Sequence, residues 1–130
     1  LIVTDASAIL EVLLPTDSEQ SVKVWLFAAG ATLHAPHLMD IEVTQGIRRH
    51  TARGEIGNEL AQSALDDLPA LPIQRYPHGF LLPRVWELRH NLTAYDAVYV
   101  ALAEMLDATL VTRDVRLANA AGHWARIAVI

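Results

Sequence analysis

The sequence has no cysteine, which excludes disulfides and thiolate metal sites and fits a cytoplasmic protein. It has one lysine, Lys23, so its positive charge rests almost wholly on arginine. No apolar run reaches the length of about 18 residues that a membrane span needs. The apolar N-terminus is broken by Asp5 and Glu11 and lacks a basic start, so no secretory signal is expected. Internal repeats, low-complexity linkers and a glycine-rich phosphate loop are all absent from the sequence, and the last absence removes the common nucleotide-binding fingerprints.

What is present is 130 residues that are 52% hydrophobic, enough for a single domain with its own core and too apolar for disorder. Fifteen acids against ten bases give a net charge of −5, which at first argues against a nucleic-acid partner. Were four of the acids gathered in one metal site, the remaining surface would be close to neutral. Net charge therefore does not decide.

Strand-like and helix-like segments alternate along the chain. Residues 1–4 are β-rich and run straight into a helical stretch, 6–14, with Asp5 at the junction. A second helix is expected over 18–29, capped by Asp17 or Ser18 and closed by Gly30, and a strand over 31–35 ends at Pro36. Residues 37–53 and 55–68 read as a helical hairpin, and 71–76 as a strand. A helix over 80–90 carries Pro83 near its first turn, where proline is tolerated. A long helix follows from Thr93, with Tyr95, Val98, Tyr99, Leu102 and Leu106 at helical spacing. Residues 108–112 repeat the opening pattern, a strand and then an acid, Asp114, before a short helix to 121; 127–130 is the last strand. The alternation predicts an α/β fold, with a mostly parallel sheet of four to five strands flanked by helices.

Four acids stand out. Asp5 and Asp114 leave the carboxyl ends of strands, where open parallel sheets place their ligand sites. Asp5 could equally serve only as the N-cap of the helix that follows. Asp96 lies in the first turn of its helix, where the helix dipole favours a carboxylate, yet it borders the apolar stripe. Glu42 falls beside Leu38 and Ile41, near a buried face that acids normally avoid, whereas Asp40 points elsewhere and reads as solvated. If the four converge, each like-charged pair about 4 Å apart repels by about 4 kcal/mol at an effective dielectric near 20. That is heavy for a domain stable by about 5–15 kcal/mol. Protonation or a cation must relieve it, and all-oxygen ligands select a hard ion such as Mg²⁺ or Mn²⁺.

The motifs Ile2-Val3-Thr4-Asp5-Ala6-Ser7-Ala8, Glu42-Val43, Thr93-Ala94-Tyr95-Asp96-Ala97 and Thr112-Arg113-Asp114 followed by Arg116-Leu117 span nearly the whole chain. In this order they resemble the PIN-domain ribonucleases, and among them the VapC-type toxins of VapBC toxin–antitoxin pairs. The resemblance implies a PIN-like three-layer domain. It also implies an endoribonuclease in which Asp5, Glu42, Asp96 and Asp114 hold Mg²⁺ or Mn²⁺, with Ser7 and Thr112 ordering the site. The products would carry a 3′-hydroxyl and a 5′-phosphate. A VapB-type antitoxin would dock on the hairpin 37–68 and reach a basic side chain toward the acids, and the domain would pair with itself. Gly46 departs from the pattern, since a better helix former is expected there.

Arg48, Arg49, Arg53 and Arg116 are candidate RNA contacts, although a basic run such as that on the helix 37–53 is usually just a solvated face. Two rivals with acids at strand ends fit less well. A receiver domain needs a lysine after a late strand, and Lys23 lies in an early helix; an aspartate phosphatase needs an acid where Ser7 stands. A catalytically inactive PIN-type binding protein is the remaining alternative. The six histidines lack ligand spacing, and Trp25, Trp86 and Trp124 read as core or interface anchors.

Overall fold

A computed structural model describes residues 1–14 and 19–130. The chain begins with β1 (Ile2–Thr4), α1 (Ala6–Leu13) and α2 (Glu19–Leu26), then β2 (Leu33–Pro36). Next come α3 (Leu38–Ala52), α4 (Asn58–Asp67), a 3₁₀ turn (Leu68–Ala70) and β3 (Ile73–Tyr76). A second 3₁₀ turn (Gly79–Leu81) leads into α5 (Leu82–Glu87), followed by α6 (Ala94–Leu106), β4 (Thr109–Thr112), α7 (Val115–Asn119) and β5 (Arg126–Val129). Every strand pairing among the described residues is parallel, in the order β3-β2-β1-β4-β5. The expected cap of α2 at Asp17 or Ser18 lies outside the described residues.

The strand order explains the layers. The chain steps outward from β1 to β2 to β3, then crosses back to β4 and β5. Right-handed crossovers in opposite directions put the intervening helices on opposite faces of the sheet. On one side α3 packs against both α1 and α4; on the other α6 lies across β1, β2 and β4 with α5 against it. The direction reverses between β1 and β4, and the carboxyl ends of those two strands form the crevice where such sheets bind ligands. Asp5 is the first residue after β1 and Asp114 the second after β4.

The buried core runs through Val3, Leu110 and Val111 on the central strands and Met39 and Val43 on α3. Helix α6 buries every residue from Ala97 to Ala103, so it is apolar all round rather than along one stripe. Tyr95, expected on that stripe, is instead 64% exposed, since burial of α6 begins only at Ala97.

Several boundaries shift for identifiable reasons. Pro36 closes β2 from within rather than following it, a position at the strand end where its missing N–H breaks no interior ladder bond. The expected helix 80–90 is split, its first turn being 3₁₀ and its α-helical part short. Gly46 is explained by packing: a Cβ there would fall on Leu10 of α1, so the missing side chain lets α1 and α3 close together. Asp40 is not solvated but half-buried. Arg75 of β3 grips it through Nε at 2.9 Å, and the same guanidinium donates to the Leu68 and Ile73 carbonyls.

Candidate active site

Two short turns after β1 and β4 are stitched together by a pair of hydroxyls. The Ser7 hydroxyl donates to Asp5 Oδ1 at 2.6 Å and accepts from the Arg113 amide at 3.0 Å. The Thr112 hydroxyl donates to Asp5 Oδ2 and accepts from the Asp114 amide at 3.0 Å. Each hydroxyl therefore serves both turns, holding the Asp5 carboxylate and an amide of the turn after β4 together. Asp5 is also the N-cap of α1, accepting from the Ala8 amide at 3.1 Å. Capping does not turn Asp5 away from the crevice, since the same carboxylate also accepts from Ser7 and Thr112. Its burial, at 7% exposure, raises the carboxyl pKa, and the hydrogen bonds from Ser7, Thr112 and Ala8 work against that rise.

Glu42 approaches from α3 and Asp96 from the first turn of α6, whose N-cap Thr93 accepts from the Asp96 amide at 3.2 Å. Burial raises the Glu42 pKa; a hydrogen bond from Tyr99 opposes this, the charges of Asp96 and Asp5 add to it, and Arg49 opposes it. Glu42 is thus within electrostatic reach of both Asp5 and Asp96. Asp114 stands at the rim. It caps α7 by accepting from the Arg116 amide at 2.9 Å, and the Arg116 side chain closes on it at 2.5 Å. That guanidinium holds the Asp114 carboxyl below its usual range.

The donor chemistry suits a hard divalent cation: clustered carboxylates and hydroxyls, with no sulfur or imidazole among them. The spacing is open, however. Among the described residues no three acids or histidines close into a group that could hold a metal without moving. Of the four expected acids, Glu42 feels the charges of Asp5 and Asp96, and Asp114 is linked to Asp5 through the Thr112 hydroxyl.

Tyr99 is the site residue that sequence reasoning missed. Helical spacing makes it an apolar stripe position, and it is 2% exposed, yet its hydroxyl donates to Glu42 Oε1 at 2.5 Å. Burial and the neighbouring acids push its own ionisation far out of reach, so it remains a donor. The signal was available: Tyr99 is three residues past Asp96, hence on the same helical face.

The candidate RNA-contacting arginines separate. Arg49 lines a hollow of about 180 Å³ together with Ala6, Ser7, Leu10, Glu42 and Gln45. Arg48 and Arg53 are exposed elsewhere on α3 and its end, and Arg116 is engaged by Asp114. Trp25, Trp86 and Trp124 are all exposed, so none is a core anchor; Arg84 stacks on Trp124 and Arg89 on Trp86. His34 sits in a hydrogen-bonded line between Thr32 and Tyr76, away from the acids.

Comparison with known families matches residues 2–123 to the PIN domain. The chain is 42% identical to ribonuclease VapC9 of Mycobacterium tuberculosis over 130 residues, covering 100% of this chain and 98% of that protein. It is 46% identical over 121 residues to ribonuclease VapC1 of the same species, covering 92% and 90%. Its backbone superimposes on VapBC2 of Rickettsia felis, solved bound to a promoter DNA fragment, with a TM-score of 0.71 at 16% identity over 98% of this chain and 97% of that one. With an acid at the end of each switch-point strand and these relatives along its whole length, the chain belongs to the PIN-domain family, in its VapC ribonuclease branch.

Proposed function

We propose that this protein is the endoribonuclease toxin of a toxin–antitoxin pair, hydrolysing RNA phosphodiesters with Mg²⁺ or Mn²⁺ held by Asp5, Glu42, Asp96 and Asp114. The carrying observation is that Glu42 lies within reach of the charges of both Asp5 and Asp96 at the switch point of the sheet, with Asp5 tied to the Asp114 turn through Thr112. Such an arrangement is unfavourable unless a cation is to be bound. Ribonuclease identity is supported by the VapC relatives, which match nearly end to end.

In this reading the residues divide the work. Asp5, fixed by Ser7, Thr112 and the Ala8 amide, is the rigid ligand. Glu42 and Asp96 complete the set from two helices, and Asp114 joins them when Arg116 turns from it to the RNA backbone. When bound, the ion would activate the attacking water and stabilise charge on the phosphoryl oxygens. Around this centre, Arg49 and Arg116 flank the acids and offset the repulsion that carboxylates exert on a phosphate.

Partners follow from the surface. A hollow of about 240 Å³ between α1 and α4, lined by Leu10, Leu14, His50, Ile56 and Leu60, suits an amphipathic antitoxin segment. It draws on α1 as well as the hairpin 37–68. Leu82, Trp86 and Tyr95 expose apolar area on the opposite side, beside a hollow floored by Val85 and Val98, and this is the surface on which a second copy would pair.

The open spacing of the acids favours one rival, the catalytically inactive binding protein, and one experiment separates the two. Partner-free protein is incubated with tRNA and ribosomal RNA, with Mn²⁺ or chelator, beside Asp96→Asn. Discrete cuts that need the ion and vanish in the variant are expected. Cleavage persisting in Asp96→Asn removes that residue from the chemistry. Absence of both cleavage and Mn²⁺ binding in the wild-type protein leaves the inactive scaffold.

A further inference from the structure

The hollow beside Glu42 has a character of its own. Glu42, Gln45 and Arg49 are spaced three and four residues apart on α3, so they form one ridge along a single helix face. Ser7 and Ala6 of the neighbouring turn form the opposite wall. The ridge therefore begins at an acid of the site and runs outward through a neutral amide to a cation.

Arg49 is unusual among the arginines. Arg75, Arg84, Arg113, Arg116 and Arg126 are each committed to a carboxylate. Arg49 is exposed, and its guanidinium makes no hydrogen bond or ion pair among the described residues; Tyr99, not Arg49, bonds Glu42. Its charge nonetheless reaches Glu42. Arg48 and Arg53 are also exposed on this helix, but geometry sets them apart. Arg48 lies about 120° around the helix from Glu42, at 100° per residue, and Arg53 lies three turns along it, about 16 Å away.

We infer that Gln45 and Arg49 form a strand-binding subsite that takes an RNA phosphodiester next to the one being cut. This rests on the ribonuclease reading and deepens it. A polyanion entering a crevice of coupled carboxylates in a protein of net charge −5 must meet a cation at its edge. Arg49 is the described unpaired arginine that lines a hollow at this crevice. Its fork suits two non-bridging phosphate oxygens, and the Gln45 amide is placed to donate to the same group or its ribose. The chemistry recognised is a single-stranded phosphodiester without base identity, so the subsite sets register and affinity rather than sequence.

The test uses Asp96→Asn protein, so that RNA is not consumed, and the anisotropy of a fluorescein-labelled single-stranded RNA of mixed sequence across a salt series. Arg49→Gln is expected to weaken binding about tenfold and to flatten the log–log salt slope by about 0.7, one phosphate's worth on a single strand. Arg49→Lys restores the slope, because it restores the charge. Gln45→Ala weakens binding about threefold with the slope unchanged, the size of one neutral hydrogen bond. Arg48→Gln removes the same net charge off the ridge and leaves binding within about twofold. Equal losses for Arg48→Gln and Arg49→Gln overturn the subsite and leave only a diffuse charge effect. Arg49→Gln binding as its parent, while wild-type protein cuts RNA with Mn²⁺, overturns the subsite alone. No binding by the parent and no cutting by the wild type bring down the ribonuclease reading and the subsite with it.

Discussion

Tyr99 shows how a single hydroxyl changes what a core position does. As an apolar filler it would be replaceable by phenylalanine at little cost. As the donor to Glu42 Oε1 it fixes the rotamer of a carboxylate that burial and two neighbouring acids would otherwise displace. Groups that orient metal ligands through a hydrogen bond typically change metal affinity by about tenfold to a hundredfold when removed. Tyr99→Phe keeps the ring in place and deletes only the donor. Its Mn²⁺ affinity, followed by electron paramagnetic resonance of the free ion, is expected to fall by about tenfold, with the melting temperature in chelator almost unchanged. An unaltered affinity would reduce Tyr99 to packing. The same residue marks a limit of sequence reading, since helical periodicity sorts residues by apolar surface and is blind to the end of a tyrosine. Asp5 and Asp114 were legible because strand, acid and helix follow in sequence. The bond between Arg75 and Asp40 was not, because only the folded sheet brings residues 35 apart into contact.

At the scale of elements, the contact between α1 and α3 positions Glu42 relative to Asp5, and Gly46 is what makes it close. Glycine inside a helix is about 1 kcal/mol less favourable than alanine. Here an added Cβ meets the end of the Leu10 side chain, a flexible group that is only partly buried. The two effects oppose one another, so Gly46→Ala should alter stability by less than about 1 kcal/mol in urea unfolding. In a Leu10→Ala background the obstacle is gone, and the same substitution should then stabilise by about the full propensity difference of 1 kcal/mol. The difference between the two values is the coupling between the helices. Identical effects in both backgrounds would mean that Leu10 does not hold Gly46 in place. A bulkier change such as Gly46→Leu has no flexible atom left to displace, and overpacking of about 1–3 kcal/mol is expected. The existence of these helices was readable from periodicity; which two of them touch depends on the strand order β3-β2-β1-β4-β5, which no local pattern encodes.

The whole molecule sets two demands against each other at the switch point. A parallel sheet gathers strand ends, and this one gathers coupled acids there, so the ion-free protein carries repulsion that its core must offset. Asp96 feels both sides of that conflict. In the first turn of α6 it complements the helix dipole, an effect of about 0.3–1 kcal/mol. Against that, its charge is one of those that raise the Glu42 pKa, a repulsion that Asp96→Asn removes. Asp96→Asn is expected to melt higher than the wild-type protein in chelator, by up to about 4 °C. Saturating Mn²⁺ should reverse the order. At a hundred times its dissociation constant an ion bound only to the folded state adds about 2.7 kcal/mol, which the wild type gains and the variant, lacking a ligand, largely loses. Differential scanning fluorimetry of the two proteins with and without Mn²⁺ reads all four values. A variant that melts lower than wild type in chelator would make Asp96 a dipole-complementing residue first. A crossing of the two curves would mean that stability has been given up at this site for the binding of a cation.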